Sequence, residues 1–424
     1  MHDRHLLREG LDVLRAGLAR RGVLESMEAT LAEAVDLDVE RRSLIQQVEE
    51  RKAQRNANSH EVGRRKRAGE DADELVIRGR ELGDEISSFE QRLREVEASI
   101  DTILLNIPNL TQEDVPAGGE SANRVFREWG TPREAEGVPP HWETAARLGL
   151  LDLERGAKIS GSGFVIFRGR GARLVRGLVN FMLDLHTGEH GYEEVAVPTL
   201  VNRATMTGTS QLPKFEDDMY AVEDGDLFLI PTAEVPVTNL YREEILDASA
   251  LPAGFTAYTP CFRREAGAAG KDTRGLLRVH QFDKVELVRY ATPEGSEEEH
   301  QRLTGHAEAV LKRLELPYRV LLLAAGDTGF GSTKTYDLEV FAPGVGRWLE
   351  VSSSSNCGDF QARRANIRYR PEGGGKPRFI HTLNASGLAL PRIIAALLEH
   401  GLQPDGSVLL PEALHQHAGF DRLA

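Results

Sequence analysis

The stretch CFRREAGAAGKDTRGLLRVHQFDKVELV, residues 261–288, decides how the chain is read. It begins and ends like a β-strand, yet Arg, Glu, His and Lys occupy its strand positions. Side chains two apart on a strand share a face. Arg278, His280, Phe282, Lys284 and Glu286 therefore share one face, and Val279, Gln281, Asp283, Val285 and Leu287 the other. Arg263 and Glu265 share a face before the turn. Between them AGAAGKDTRG, residues 266–275, holds three glycines and reads as a mobile loop by composition. The spacing predicts a strand–loop–strand hairpin with one face lined by Arg, Phe and Glu. A solvated sheet face with cross-strand ion pairs carries the same letters. So does a nucleotide site, with cations for phosphates and a ring to stack on a base.

Three further stretches bear on that choice. TAEVPVTN, residues 232–239, sets Thr232 and Glu234 two apart, on one face if the segment is a strand. A carboxylate there can pair with an ammonium group, although a surface Glu explains it equally. EVSSSSNCGDFQARR, residues 350–364, joins Glu350 to a Ser run. Carboxylate and hydroxyl oxygens suit Mg²⁺, a hard cation that binds phosphates; a Ser-rich loop would look the same. In NASGLALPRIIAALLEH, residues 384–400, Pro391 suits the first residue of a helix. Arg392 then falls in the first turn, among free backbone N–H groups that favour anions. A cation there opposes the helix dipole, a small cost that makes sense if Arg392 faces a polyphosphate.

Around these stretches, short apolar strands alternate with turns and a few helices from residue 141 to 424. Leu174, Leu178, Phe181 and Leu185 space as an amphipathic helix, and YEEVAVPTLV, residues 192–201, reads as a strand with Pro198 best placed at an edge. The pattern predicts an α+β domain with a mixed, largely antiparallel sheet flanked by helices. Residues 106–140 are rich in Pro, Gly and Asn and read as a linker.

The N-terminal part differs. Leu82, Ile86, Phe89, Leu93, Val96, Ile100 and Ile103 follow a 4-3 heptad spacing. Leu24, Met27, Leu31, Val35, Leu44, Ile45 and Val48 form a looser stripe upstream. One helix cannot bury such a seam alone, so an antiparallel coiled coil over about residues 27–103 is predicted, within a domain of residues 1–105. Its turn is expected within residues 56–70, where Asn, Ser and Gly interrupt the pattern. Arms of this length span on the order of 45–50 Å. Near the tip, Arg51, Lys52, Arg55, Arg64, Arg65, Lys66 and Arg67 face only Glu61 and Glu70 in residues 51–70. The whole chain carries a net charge of −14, which by itself argues against nucleic acid. A basic island on an acidic protein says more than the average, though a solvated helix end or a dimerisation coil also accounts for it.

Composition excludes several classes. No apolar run approaches the roughly 18 residues of a membrane helix, and the N-terminus lacks the apolar core of a secretory signal. Two cysteines, with no CxxC pair, point to a reducing, cytoplasmic setting and away from a cysteine zinc site.

Together, the helical arm, KFEDDMY, TAE, the FRREAG…DTRGLLRVHQFDKVE hairpin, KTYDLEV, SSSSNCGDFQARR and NASGLALPR resemble the class II aminoacyl-tRNA synthetases, and among them the seryl-tRNA synthetase family. The resemblance covers nearly the whole chain, and the ordered set is specific where each motif alone is weak. It identifies the hairpin as motif 2, NASGLALPR as motif 3 and the helix and strand around Pro198 as motif 1, which builds a homodimer. It departs from the usual motif 3 glycines at Ala389 and Pro391. The resemblance implies that Thr232, Ala233 and Glu234 bind the amino group of L-serine, with Glu286 and Ser386 at its hydroxyl side. Arg263 would hold the serine carboxylate and the ATP α-phosphate, Glu265 the adenine amino group, and Phe282 the ring. Arg278 and Arg392 would grip the γ-phosphate, Arg263 and Arg392 being the catalytic pair. Arg264, Val279, Val351 and Ser352 would complete the ATP site, and Glu350 and Ser353 would ligate Mg²⁺. The basic tip would hold tRNA(Ser), and tRNA(Sec) where the organism has one. A relative charging a carrier protein would lack the arm; a non-catalytic tRNA-binding relative would have lost Arg263, Glu286 or Arg392. A coiled-coil interaction protein would not need the ordered set at all.

Overall fold

The structure, a computed structural model, describes residues 1–222, 226–266 and 274–424. Residues 267–273, most of the loop read as mobile, lie outside the described residues. The chain forms two compact units, Met1–Pro108 and Asn109–Ala424.

In the first unit, α1 (Leu24–Ala68) and α2 (Asp73–Leu105) pack along one another. Leu31, Leu44 and Val48 of α1 and Leu82, Ile86, Val96 and Ile100 of α2 are buried. Two seam positions differ from the pattern. Ile45 is exposed, because its neighbour Leu44 fills the stripe, and Leu104 rather than Ile103 is fully buried. A helix drifts by about 20° per heptad against a 3.5-residue repeat, which moves the buried face on by one residue. The turn is also displaced. α1 continues through Asn56, Ser59 and Gly63 and ends only at Gly69, whose φ of 72° makes a left-handed cap. Isolated Asn, Ser and Gly each cost a helix at most about 1 kcal/mol, which packing against α2 overrides. Asn58 becomes a brace instead, its Nδ2 donating to the carbonyl of Leu75 at 2.7 Å.

The second unit is built on an eight-stranded sheet: β1 (Arg124–Trp129), β2 (Glu193–Glu194), β3 (Ala253–Phe262), β4 (Gln281–Ala291), β5 (Tyr318–Leu322), β6 (Lys334–Ala342), β7 (Arg347–Asn356) and β8 (His381–Ala389). The order is β1-β5-β6-β7-β8-β4-β3-β2, and every pair is antiparallel except β2 with β3. Strand β1 lies inside the segment read as a linker; its sequence RVFREW carries too many charges to look like sheet, and it can do so because it is an edge strand. The reading of residues 192–201 as one strand is corrected too. Only Glu193–Glu194 and Leu200–Asn202 are extended partners, and Pro198, with no N–H to donate, sits between them. Helix α3 (Arg170–Gly188) buries Leu174, Leu178, Phe181 and Leu185 in a core shared with Leu338, Val340, Leu388, Ile394 and Leu397.

Candidate active site

Strands β3 and β4 pair over their whole lengths, with Phe262 opposite Gln281 and Thr259 opposite Lys284. Beyond the strand ends the pairing persists: the Arg263 N–H donates to the His280 carbonyl at 2.9 Å. Arg263 is thereby aimed beside Phe282, its guanidinium 5.2 Å from the ring centroid. Arg278 forms an ion pair with Glu265. Of the face predicted from period two, Arg278, Lys284 and Glu286 look into a cavity of about 590 Å³ whose walls also include Thr232, Glu234, Arg263, Glu265, Glu350, Ser353 and Ser386, whereas His280 lies outside it with its ring 5.5 Å from that of Phe164. A narrower recess of about 90 Å³ shares Arg263, Arg278 and Glu350 and adds Val279, Phe282, Val351 and Arg392. Of the predicted residues, Ala233, Arg264 and Ser352 line neither cavity. Ala233 and Ser352 are buried, and the Ser352 hydroxyl donates to the Ser386 carbonyl at 2.6 Å.

Two β-bulges assemble the far wall. Between β6 and β7, Glu339 opposes Glu350 and Leu338 opposes Ser352, so Val351 is an extra residue. The bulge keeps Glu350 and Ser353, three apart, on one face. Between β4 and β8, Val285 opposes Leu388 and Glu286 opposes Ser386, so Gly387 is extra. Were Gly387 paired in register instead of bulged, Ser386 would oppose Leu287 and turn away from Glu286. A Cβ on Gly387 would lie 3.1 Å from His186 Nε2 and 3.2 Å from Val285 Cγ1, which favours glycine there. Helix α5 (Leu390–His400) follows, with Pro391 in its first turn, one position later than the helix start expected from the sequence. Arg392 Nη1 donates to the Glu350 carbonyl at 2.6 Å and approaches its carboxylate at 3.3 Å. Two oxygen ligands on one wall, with arginines around them, fit a hard divalent cation shared with phosphates.

The strand reading of residues 232–239 is corrected. Glu234–Thr238 is a short helix, α4, and Thr232 precedes it, its Oγ1 accepting from the Glu234 N–H at 3.1 Å. Pro236 suits the first turn of a helix better than a central strand. Glu234 Oε1 accepts from Gln361 Nε2 at 2.7 Å and from Asn384 Nδ2 at 3.1 Å. Lys284 Nζ donates to Thr232 Oγ1 at 2.8 Å and pairs with Glu286. Burial raises the Glu234 carboxyl above its ordinary range and pushes Glu286 up to about 7, with the Lys284 ammonium opposing the rise. Gln361, Asn384 and Lys284 had no role in the sequence reading. Lys284 had a signal, its parity with Glu286; Gln361 had none.

The basic tip forms a second candidate surface, within the first unit. Arg51 reaches Glu85 at 2.5 Å and Lys52 reaches Glu90 at 3.0 Å, both across the hairpin. Arg64 and Arg65 share Glu61 at 2.7 and 3.1 Å. Arg55, Lys66 and Arg67 are exposed and form no ion pair among the described residues. No described helix is long and apolar enough to cross a membrane.

Residues 1–111 match the family description "Seryl-tRNA synthetase N-terminal domain", and residues 214–401 match "tRNA synthetase class II core domain (G, H, P, S and T)". A serine–tRNA ligase of Gemmatimonas aurantiaca is 63% identical over 425 residues, covering 100% of both chains. The chain belongs to the seryl-tRNA synthetase family. Among solved structures, the seryl-tRNA synthetase of Pyrococcus horikoshii, complexed with ATP, superposes with a TM-score of 0.95 at 38% identity, covering 100% of this chain and 99% of that one. The cytoplasmic serine–tRNA ligase of Naegleria fowleri, in complex with AMP, gives 0.89 at 28% identity, covering 100% and 98%.

Proposed function

We propose that this synthetase activates L-serine with ATP to seryl-adenylate and transfers serine to the 3′ end of tRNA(Ser), and of tRNA(Sec) where its host has one. Family membership carries serine–tRNA ligation. The observation that supports the residue assignments is that one cavity draws Thr232, Glu234, Arg263, Arg278, Glu286, Glu350 and Ser386 from separate segments of the chain. Glu234, fixed by Gln361 and Asn384, would take the serine ammonium, and Arg263 the carboxylate. Glu286 would accept the serine hydroxyl; alanine would leave that buried carboxylate unpaired, and such sites discriminate strongly. Phe282 and Glu265 would hold adenine, and Arg278 and Arg392 the outer phosphates.

No protein nucleophile is required. The serine carboxylate oxygen bonds to the α-phosphorus as the bond to pyrophosphate breaks. Then the terminal ribose hydroxyl of tRNA attacks the carbonyl, releasing AMP. Arg263 stabilises charge on the reacting phosphate, and the pocket supplies orientation. Glu350 and Ser353 would hold Mg²⁺, which supplies charge neutralisation of the phosphates. The arm's Arg55, Lys66 and Arg67, free to meet phosphates, would grip tRNA together with Arg51, Lys52, Arg64 and Arg65, which must first exchange a carboxylate partner. The motif 1 segment supports a homodimer, and the setting is cytoplasmic. The test is amino-acid-dependent ATP–pyrophosphate exchange across all twenty amino acids: serine should give the highest rate, and a faster rate with another amino acid overturns the assignment.

A further inference from the structure

Lys284 is 5% exposed and has no ligand assigned to it above. Its Nζ donates to Thr232 Oγ1 at 2.8 Å, lies 3.4 Å from Ser386 Oγ and pairs with Glu286. An ammonium has three donors, and three protein oxygens take them, so none remains for a ligand. The partners are themselves residues proposed to touch serine. Lys284 therefore acts through them.

Charge explains what it does. The groups facing Glu286 are Lys284 on its own strand, Glu234 at the start of α4, Arg263 beyond the end of β3 and the Cys261 thiol on β3. Ser386, across on β8, is neutral. The substrate brings one carboxylate, which Arg263 would meet, and one ammonium, which Glu234 would meet. Glu286 is left to be balanced by Lys284 alone. A buried carboxylate without that cation takes up a proton. A protonated carboxyl spends one oxygen as a donor and becomes a weaker acceptor.

We infer that Lys284 is a positioning residue that keeps Glu286 ionised, so that the pocket prefers an amino acid bearing a hydroxyl. The inference rests on the serine-activating reading and goes beyond it.

The experiment measures serine- and alanine-dependent ATP–pyrophosphate exchange by the full-length enzyme from pH 6 to 9. If the wild type shows no serine-dependent exchange, the underlying reading fails before any variant is made. In the wild type, kcat/KM for serine should rise through about pH 7 and level off. Lys284→Met should move that rise upward by at least about one pH unit. It should lower the serine-to-alanine ratio at pH 7 at least about tenfold, with recovery toward pH 9. Lys284→Arg should keep the wild-type profile. Parallel loss of both activities with an unmoved profile would make Lys284 a packing residue and overturn the inference. Should Lys284→Met fail to fold, Glu286→Gln decides: it should abolish the pH-dependent rise, and a rise that persists overturns the inference.

Discussion

In the helical arm, Arg64 and Arg65 share Glu61 with side chains about 57%, 41% and 37% exposed. In the sheet, Lys284 and Glu286 face each other at 6% and 2%. Both regions are dense in charge, yet the chemistry differs. Exposed pairs compete with water and contribute little to stability, so the arm can release its carboxylates when phosphates arrive. Its affinity grows with the number of contacts and falls with salt. The buried pair has no such freedom, since removing one partner strands the other at a cost of about 3–5 kcal/mol. Charge on the arm is collective, whereas charge in the sheet is individual.

The sharpest way to break this contrast is to remove one sheet cation and the whole arm in turn. Arg263→Ala should lower serine-dependent pyrophosphate exchange by about 10²–10³-fold, and charging with it. Replacing residues 30–103 by a short linker should leave exchange within a few-fold while tRNA charging disappears; equal loss of both would make the arm a support for the fold. Next in size, Glu286→Ala should cut the serine-over-alanine ratio by about a hundredfold or more, read as the ratio of kcat/KM values in exchange; an unchanged ratio would remove the hydroxyl-reading role.

A third measurement concerns stability. His186 is fully buried at the end of α3, its Nδ1 2.9 Å from that of His190, and burial drags it down to about 3. A histidine kept neutral in the folded state contributes stability that is complete above the unfolded value near 6.5 and is lost as pH falls toward 3. The slope is about 1.4 kcal/mol per pH unit within that window. His186→Phe should flatten the fall in Tm between pH 6.5 and 5, and an unaltered slope would place the acid sensitivity elsewhere. The smallest effect belongs to the arm: Lys66→Ala should weaken charging about 2–5-fold, reduce the salt slope of tRNA binding by about one and leave exchange untouched.

Much of this site was legible because period two and residue type coincide. Lys284 and Glu286 fall on one face with Phe282 by counting alone, and Pro391, ahead of the apolar run IIAALL, suits the first turn of a helix. Other features were hidden for physical reasons. Glu350 and Ser353 have opposite parity, and only the bulge at Val351 aligns them. Thr232 and Glu234 share a face only if their segment is a strand, and Pro236 is the sign in the sequence that it starts a helix instead. Asn56, Ser59 and Gly63 looked like a turn, since local propensity speaks in sequence and the packing of α1 on α2 does not. Gln361 could not be found, because its partner Glu234 is 127 residues away.

The bulge at Val351 has a consequence for how such a site can be lost. Val351 is buried among apolar neighbours, and its identity matters less to the active site than its standing outside the ladder register. Pairing β7 without the bulge, with every residue in place, would yield a more regular ladder with every polar side chain still encoded, and with Glu350 and Ser353 on opposite faces. Part of what makes this chain an enzyme is thus stored in an irregularity of strand pairing rather than in a kind of residue, and selection for an orderly sheet alone would erase it.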